Sequence, residues 1–221
     1  TETFFHNSFD LMRHRGPDYE KSIQINSTVS FGHQRLAIID LNEESNQPFK
    51  DDTSYISFNG EIFNYKELIK TELSKSNLTT KSDTEVLIKG LNLYGLDFLN
   101  KLNGMFAFAY YNNDSLYLVR DRFGLKPLYY SIINDVLYFS SEIKPLLKIQ
   151  KKVILNSNAI KSYLKDTATD FNEETFFKNI CQVRKGSYLK LVPNESSQSI
   201  KWYDNNDYDF NENIFKNYNE T

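Results

Sequence analysis

The sequence predicts an α+β fold of mixed, mostly antiparallel sheets with helices packed outside them. Three observations lead there. Apolar runs rich in β-branched and aromatic residues come in groups instead of alternating regularly with helical segments, which argues against a doubly wound parallel sheet. Two pairs of these runs are separated by short Asn/Asp-rich connections of hairpin type. Helical spacing interrupts the strands in mid-chain, in the segments from Tyr65 and from Ser82.

Phe4 to Met12 reads as a short helix, ended by the turn Arg15-Gly16-Pro17-Asp18. Val29 to Asp40 is one long strand or a strand pair, with Gly32-His33-Gln34-Arg35-Leu36 in its middle and Ile38-Ile39 near its end. Ser54 to Phe58 is a strand running into Asn59-Gly60, a strong turn signal. The residues beyond Gly60 have helical spacing, and Tyr65 to Leu73 is a helix. Ser82-Asp83-Thr84-Glu85 has capping-box form and opens a second helix through Val86, Leu87, Leu91 and Tyr94. Met105 to Tyr111 and Leu116 to Val119 form a hairpin across Asn112-Asn113-Asp114. Leu128 to Ile132 and Val136 to Phe139 form another around Asn134-Asp135. Glu142 to Ile149 and Ala159 to Leu164 are short helices, Ser187 to Val192 is a late strand, and the polar tail from Asn194 reads as a linker.

Composition bounds the function. At 221 residues, 40% hydrophobic and 25% charged, the chain is of ordinary globular make-up. A net charge of −3 without a basic run does not suggest a nucleic-acid partner. No stretch is long and apolar enough to span a membrane, and a lone cysteine, Cys181, fits a reducing, cytoplasmic setting. Of 26 basic residues only Arg13, Arg15, Arg35, Arg120, Arg122 and Arg184 are arginines, and five of them cluster in RHRGPD, GHQRL and VRDRFG. Lysine is otherwise preferred, so these clusters are where forked hydrogen bonding would be needed.

Arg35 stands in an apolar strand, where it must snorkel or meet an anion such as a carboxylate. Asp83, in the first turn of a helix, either compensates the helix dipole or faces a ligand ammonium. Asn59 offers a side-chain NH2, and Gly60 a backbone N–H that a ligand can approach closely; alone the pair reads as a turn. Together the four residues describe a pocket for an α-amino acid whose side-chain carbonyl is attacked, with Asn59 and Gly60 as oxyanion donors. His14 and His33 lack metal-ligand spacing and read as structural hydrogen-bonders.

RHRGPD (13–18), GHQRLAIIDL (32–41), FNGEIFNYKEL (58–68), KSDTEV (81–86), LNGMFAFAYY (102–111), VRDRFGLKPLYY (119–130) and FSSEIKPLL (139–147) resemble, in order, the blocks of the glutaminase domain of asparagine synthetases. The resemblance implies a class II glutamine amidotransferase with the N-terminal-nucleophile fold, a four-layer αββα sandwich of two mostly antiparallel sheets. It implies that Arg35 holds the glutamine α-carboxylate and Asp83 its α-ammonium. Leu36, Ala37, Ile38 and Ile39 would line the same pocket, Asn59 and Gly60 would form the oxyanion hole, and Glu61 would order the substrate. Residues 1–192 would be the amidotransferase domain, with 150–192 its connecting region, and 193–221 a linker toward an ATP-dependent synthetase domain. That second domain would need ATP and Mg2+, whereas the present one needs no cofactor or metal. Its partners would be glutamine and the synthetase domain. The aromatic residues, 15 Tyr and 17 Phe, would suit a homodimer interface or an ordinary core.

One departure from the resemblance matters. The family's nucleophile is an N-terminal cysteine followed by glycine and an apolar strand. This sequence opens Thr1-Glu2-Thr3 and passes into a helix, so the first strand and the thiol are expected to be missing and the chain inactive as given. The alternative is a scaffold or glutamine-binding domain of a related amide-forming synthetase that works without the nucleophile.

Overall fold

The computed structural model describes residues 2–37, 42–150, 152–167, 172–193 and 195–204. Helix α1 (Glu2–Met12) is followed by β1 (Tyr19–Gln24), β2 (Ser30–Arg35), β3 (Phe49–Asp51) and β4 (Ser54–Ile62). Helices α2 (Tyr65–Thr71) and α3 (Asp83–Tyr94) lead to β5 (Gly104–Asn112), β6 (Ser115–Arg120), β7 (Tyr129–Ile133) and β8 (Val136–Ser140). The chain continues through α4 (Ile143–Ile149), α5 (Ser157–Asp166), β9 (Cys181–Gln182), β10 (Ser187–Leu191) and β11 (Gln198–Lys201).

A six-stranded sheet in the order β11-β10-β6-β5-β4-β3 forms the centre, and every named pairing in it is antiparallel. Strand β5 shows how one sequence serves two layers. Its residues alternate large and small, and side chains alternate faces. Phe106, Phe108 and Tyr110 therefore enter the core shared with α2 and α3, where Leu68, Val86, Leu87, Leu91 and Phe98 meet Ile56, Phe58 and Ile62 of β4. Ala107, Ala109 and Tyr111 face the opposite way, into a second core with Phe31, Leu128 and Val183. That second core lies between the central sheet and two smaller sheets, β1-β2 and β8-β7-β9. Outside these, α1 and α4 pack on each other and against β2, β7 and β8. The order of layers is αββα, as the resemblance implied.

Both expected hairpins form, with left-handed residues at Asn113-Asp114 and Asn134-Asp135 as such two-residue turns require. Three expectations need correction. Asn59-Gly60 is not a turn: β4 runs unbroken through it to Ile62, with Asn59 opposite Ala107 and Gly60 opposite Phe106. Gly60 has φ +154, and a Cβ there would lie 2.2 Å from the Met105 carbonyl oxygen, so the residue answers to close strand packing instead of chain reversal. The strand expected over Val29 to Asp40 is β2 alone, paired with β1, and it ends at Arg35. The expected linker begins inside the domain, because β11 pairs with β10 and Trp202 stacks on Phe106. The edge strands β1, β3, β9 and β11 carry no alternation strong enough to read from sequence; their partners define them. Among the described residues no helix is long and apolar enough to cross a membrane.

Helix α3 packs so closely on the following 3-10 segment that a Cβ at Gly90 would lie 2.0 Å from the Phe98 ring. In an open helix Gly→Ala would stabilise by about 1 kcal/mol. Here Gly90→Ala is expected to destabilise by roughly 1–3 kcal/mol, because Phe98 is fully buried and has nowhere to go. Urea unfolding of the variant reads the sign directly.

Candidate active site

A cavity of about 360 Å3 opens between the central sheet, β2 and α1. The small side chains of Ala107 and Ala109 leave the space, and Phe9, Met12 and Phe139 help close it. Arg35, Leu36, Asn59, Gly60, Glu61 and Asp83 all contribute to its wall, so tertiary structure brings the expected residues from three separate elements to one place. Ala37 lies outside the lining, and its N–H is donated to Asp18 Oδ2 at 2.9 Å. Ile38 and Ile39 fall outside the described residues.

Arg35 ends β2 and is only 8% exposed. Its Nη1 donates to Asn46 Oδ1 at 2.7 Å and to the Asn42 carbonyl at 3.2 Å, which fixes the plane of the guanidinium. Asp83 opens α3 behind the cap Ser82, whose hydroxyl accepts the Thr84 N–H. The capping box is half realised: Glu85 binds the N–H groups of Thr79 and Thr80 instead of reaching back to Ser82. Asp83 is 4% exposed, and burial raises its pKa above the usual carboxylate value. Hydrogen bonds from Ile62 and Thr84 work against that rise, and the charge of Glu61 adds to it.

The exposed edge of β4 beyond β3 is the centre of the site. Strand β3 pairs Phe49 with Ile56, and it begins only there. At Phe58 the N–H donates to Gln47 Oε1 at 2.6 Å, and the carbonyl accepts from Gln47 Nε2 at 3.1 Å. At Ile62 the N–H donates to Asp83 Oδ2 at 2.9 Å. Backbone groups of alternate residues point to the same side of a strand, so the Gly60 N–H faces this edge between the two occupied positions. Phe106, opposite Gly60, turns its own carbonyl to Asp121 on the far side, accepting that N–H at 2.8 Å. Asn59, one residue earlier, shares its face with Ser57, and its Nδ2 is buried with no acceptor among the described residues. A buried NH2 without a partner costs stability unless something arrives to accept from it. Ser45, 1% exposed in the same wall, has a buried hydroxyl in the same condition.

His33 completes the wall. Its Nδ1 lies 3.1 Å from Ser57 Oγ, and that hydroxyl also reaches the Gly32 carbonyl at 3.3 Å. A carbonyl only accepts, so the single Ser57 proton goes there, and Nδ1 must be the protonated ring nitrogen. Burial, with the Arg35 charge, lowers the His33 pKa to about 4, so the ring is neutral near pH 7. Cys181 is elsewhere. It pairs with Tyr130 in the β8-β7-β9 sheet, is half-buried, and its thiol pKa is raised by burial. A protonated thiol outside the cavity has no nucleophilic role there.

Of the other arginine clusters, Arg120 donates to the carbonyls of Gly124, Lys126 and Val183. Asp121 accepts the N–H groups of Phe123, Leu125 and Lys126, so the VRDRFGLK block is a self-bonded loop next to the cavity. His14 and Arg15 both reach Glu142, tying the RHRGPD turn to the start of α4. What sequence reasoning missed is Gln47, which carries no motif of its own and is identified only by its contacts.

Residues 1–203 match the glutamine amidotransferase domain family. Asparagine synthetase [glutamine-hydrolyzing] 1 of Bacillus subtilis is 40% identical over 83% of this chain and 29% of its own length. Amidase chyE of Penicillium rubens is 36% identical over 90% of this chain and 29% of its own. The chain thus spans under a third of the length of these curated relatives. Among solved structures, glutamine phosphoribosylpyrophosphate amidotransferase from B. subtilis superposes with a TM-score of 0.57 at 22% identity, covering 80% of this chain and 35% of that one. That likeness is one of fold, and the fold is the N-terminal-nucleophile sandwich.

The neutral imidazole of His33 gives a sign to the pH dependence of stability. Its pKa is 6.5 unfolded and about 4 folded, so the unfolded chain takes up the proton first as pH falls. The stability that neutral His33 contributes is complete above pH 6.5 and is lost toward pH 4. Between neutral pH and pH 5 the loss should be about 2 kcal/mol. Urea titrations across that window should show it, and His33→Asn should flatten the difference.

Proposed function

This chain belongs to the glutamine amidotransferase domain family, and on that premise we propose that its cavity binds L-glutamine and presents the side-chain amide to a thiolate. The observation that carries the reading is the pair of uncovered donors, Asn59 Nδ2 and the Gly60 N–H, in one cavity with buried groups of opposite charge at Arg35 and Asp83. Arg35 takes the α-carboxylate through its fork, and Asp83 takes the α-ammonium. Binding the ammonium offsets the burial that disfavours the charged carboxylate. Leu36 flanks the head group, and Glu61, on the Asn59 face of β4, orders the amide.

Attack forms a C–S bond at the glutamine Cδ and places a negative charge on the carbonyl oxygen. Asn59 Nδ2 and the Gly60 N–H receive that charge, a contribution of roughly 10²–10³ in rate per donor. The base that took the thiol proton returns it to the amide nitrogen, the C–N bond breaks and ammonia leaves, and water then releases glutamate from the thioester. Cys181 is not the thiol in this scheme. As Cys181 is the one cysteine of this sequence and lies outside the cavity, the chain by itself binds glutamine without hydrolysing it in this reading.

We extend the proposal to the whole protein, in which ammonia released here amidates aspartate in an ATP-dependent step; the likeness to a glutamine-hydrolysing asparagine synthetase of B. subtilis supports that extension. ATP and Mg2+ belong to that step and to a synthetase domain beyond these residues. The setting is cytoplasmic, and the state of association is a homodimer in this reading.

Asp83→Asn keeps an acceptor for the Ile62 N–H and removes a buried carboxylate whose ionised form is penalised. Its melting temperature at neutral pH should therefore not fall. Glutamine affinity, by calorimetry, should drop on the order of 10²-fold, the cost of losing one partner of a buried charge pair. In the unchanged chain, affinity should weaken as pH falls through the raised Asp83 pKa, because the binding form is the carboxylate. Asn59→Ala should leave stability intact, since no hydrogen bond is lost, while reducing hydrolysis by the native protein about 10²–10³-fold.

A further inference from the structure

We propose that Gln47 is a positioning residue for the oxyanion donors, acting as the last rung of the β3-β4 ladder. The register of that ladder places Phe49 opposite Ile56, Lys50 opposite Tyr55 and Asp51 opposite Ser54. Continued by two places, it would set the backbone of Gln47 opposite Phe58. Backbone pairing stops short of that position, because β3 begins only at Phe49. The side-chain amide of Gln47 makes the rung instead. It carries one acceptor and one NH2 donor, as a peptide group does, and both are used on Phe58 at 2.6 and 3.1 Å.

The consequence lies one step further along the strand. Had backbone pairing continued, the next partner in β3 would have covered the Gly60 N–H. A single side-chain amide covers Phe58 and nothing beyond, so the edge is held rigidly up to Phe58 and left open at Gly60. Ile62 is held in turn by Asp83, so the open N–H sits between two clamped positions. Gln47 Nε2 also lies 3.4 Å from Thr84 Oγ1, which links the same edge to the first turn of α3. Gln47 is 6% exposed, and both amide atoms are engaged, so it has little freedom of its own. Its neighbour Asn46 performs a parallel task for Arg35, accepting from Nη1 at 2.7 Å. Gln47 serves the reacting amide and Asn46 the amino-acid head.

This assignment rests on the proposal that the cavity binds glutamine, and the test separates the two. L-norvaline has the α-amino acid head of glutamine but no side-chain carbonyl. Calorimetric affinities of the chain for L-glutamine and L-norvaline give a ratio that reports the contacts of the side-chain amide, the oxyanion donors and Glu61, apart from those of the amino-acid head. Gln47→Met, similar in length but without hydrogen-bonding atoms, should lower that ratio about tenfold, the worth of one hydrogen bond, with norvaline affinity unchanged. Asn46→Ala should weaken both ligands alike and leave the ratio where it was. In 15N spectra the Gly60 amide shift on glutamine addition should be present in the unchanged chain and lost in Gln47→Met. If Gln47→Met does not fold, Gln47→Glu keeps the acceptor for the Phe58 N–H, and its ratio decides. An unchanged ratio in the folded variant, or equal weakening of both ligands, overturns the positioning role. If the unchanged chain binds neither ligand, the glutamine reading itself fails and the role of Gln47 falls with it.

Discussion

The close approach of β4 to β5 is the constraint on which the rest of the structure depends. Gly60 and Gly104 each stand where a Cβ would come within 2.2 Å of a carbonyl oxygen of the facing strand, Met105 in one case and Glu61 in the other. With both positions bare, the strands pair without a break from Tyr55 opposite Tyr111 to Ile62 opposite Gly104. The unbroken pairing sets the alternation of both strands at once. Phe106, Phe108 and Tyr110 are sent to the helical layer, and the alanines between them make room for the cavity. On β4 the same alternation sends Ile56, Phe58 and Ile62 inward to the helices and leaves Ser57, Asn59 and Glu61 on the cavity side.

Energetically the cavity wall is the least satisfied part of the described molecule. It contains a buried NH2 on Asn59, a buried hydroxyl on Ser45, a carboxylate whose charge is penalised and an imidazole whose charge is excluded. The surrounding framework is better satisfied, although Arg122 Nε and Gln150 Nε2 also lack a partner among the described residues. Asp121 satisfies a run of N–H groups, Arg120 satisfies several carbonyls, and Glu85 answers the Thr79-Thr80 turn. Unmet hydrogen-bonding capacity is concentrated where a ligand can meet it, the pattern expected of a site held ready by a rigid shell.

The arginine clusters divide along the same line. Arg35 stands in the cavity, Arg15 lines it while paired with Glu142, and Arg120 binds carbonyls of the framework. Arg122 stacks over Trp202 and Tyr203, which joins the end of the described chain to the VRDRFGLK loop. Forked donors serve in all three clusters, and two of them, through Arg15 and Arg35, reach the cavity wall.

By itself the sequence determined the class of antiparallel sheets with helices outside them, both hairpins, the helices α1 to α5, and Arg35, Leu36, Asn59, Gly60, Glu61 and Asp83 as residues that meet in one cavity wall. Those features rest on local signals, namely alternation, helical spacing, Asn-Asp turns and ordered motif blocks, which neighbouring residues carry without help. Only the tertiary structure decided that Asn59-Gly60 continues a strand, because the dipeptide turns or extends according to the partner it finds, and β5 supplies that partner. It likewise decided the strands β1, β3, β9 and β11, whose short or polar segments become strands by pairing alone. Gln47 belongs to the same class: a glutamine has no local pattern, and its meaning arises from Phe58 and Thr84, eleven and thirty-seven residues away. Contacts of that range lie beyond the reach of any periodicity, so only the folded chain could express them.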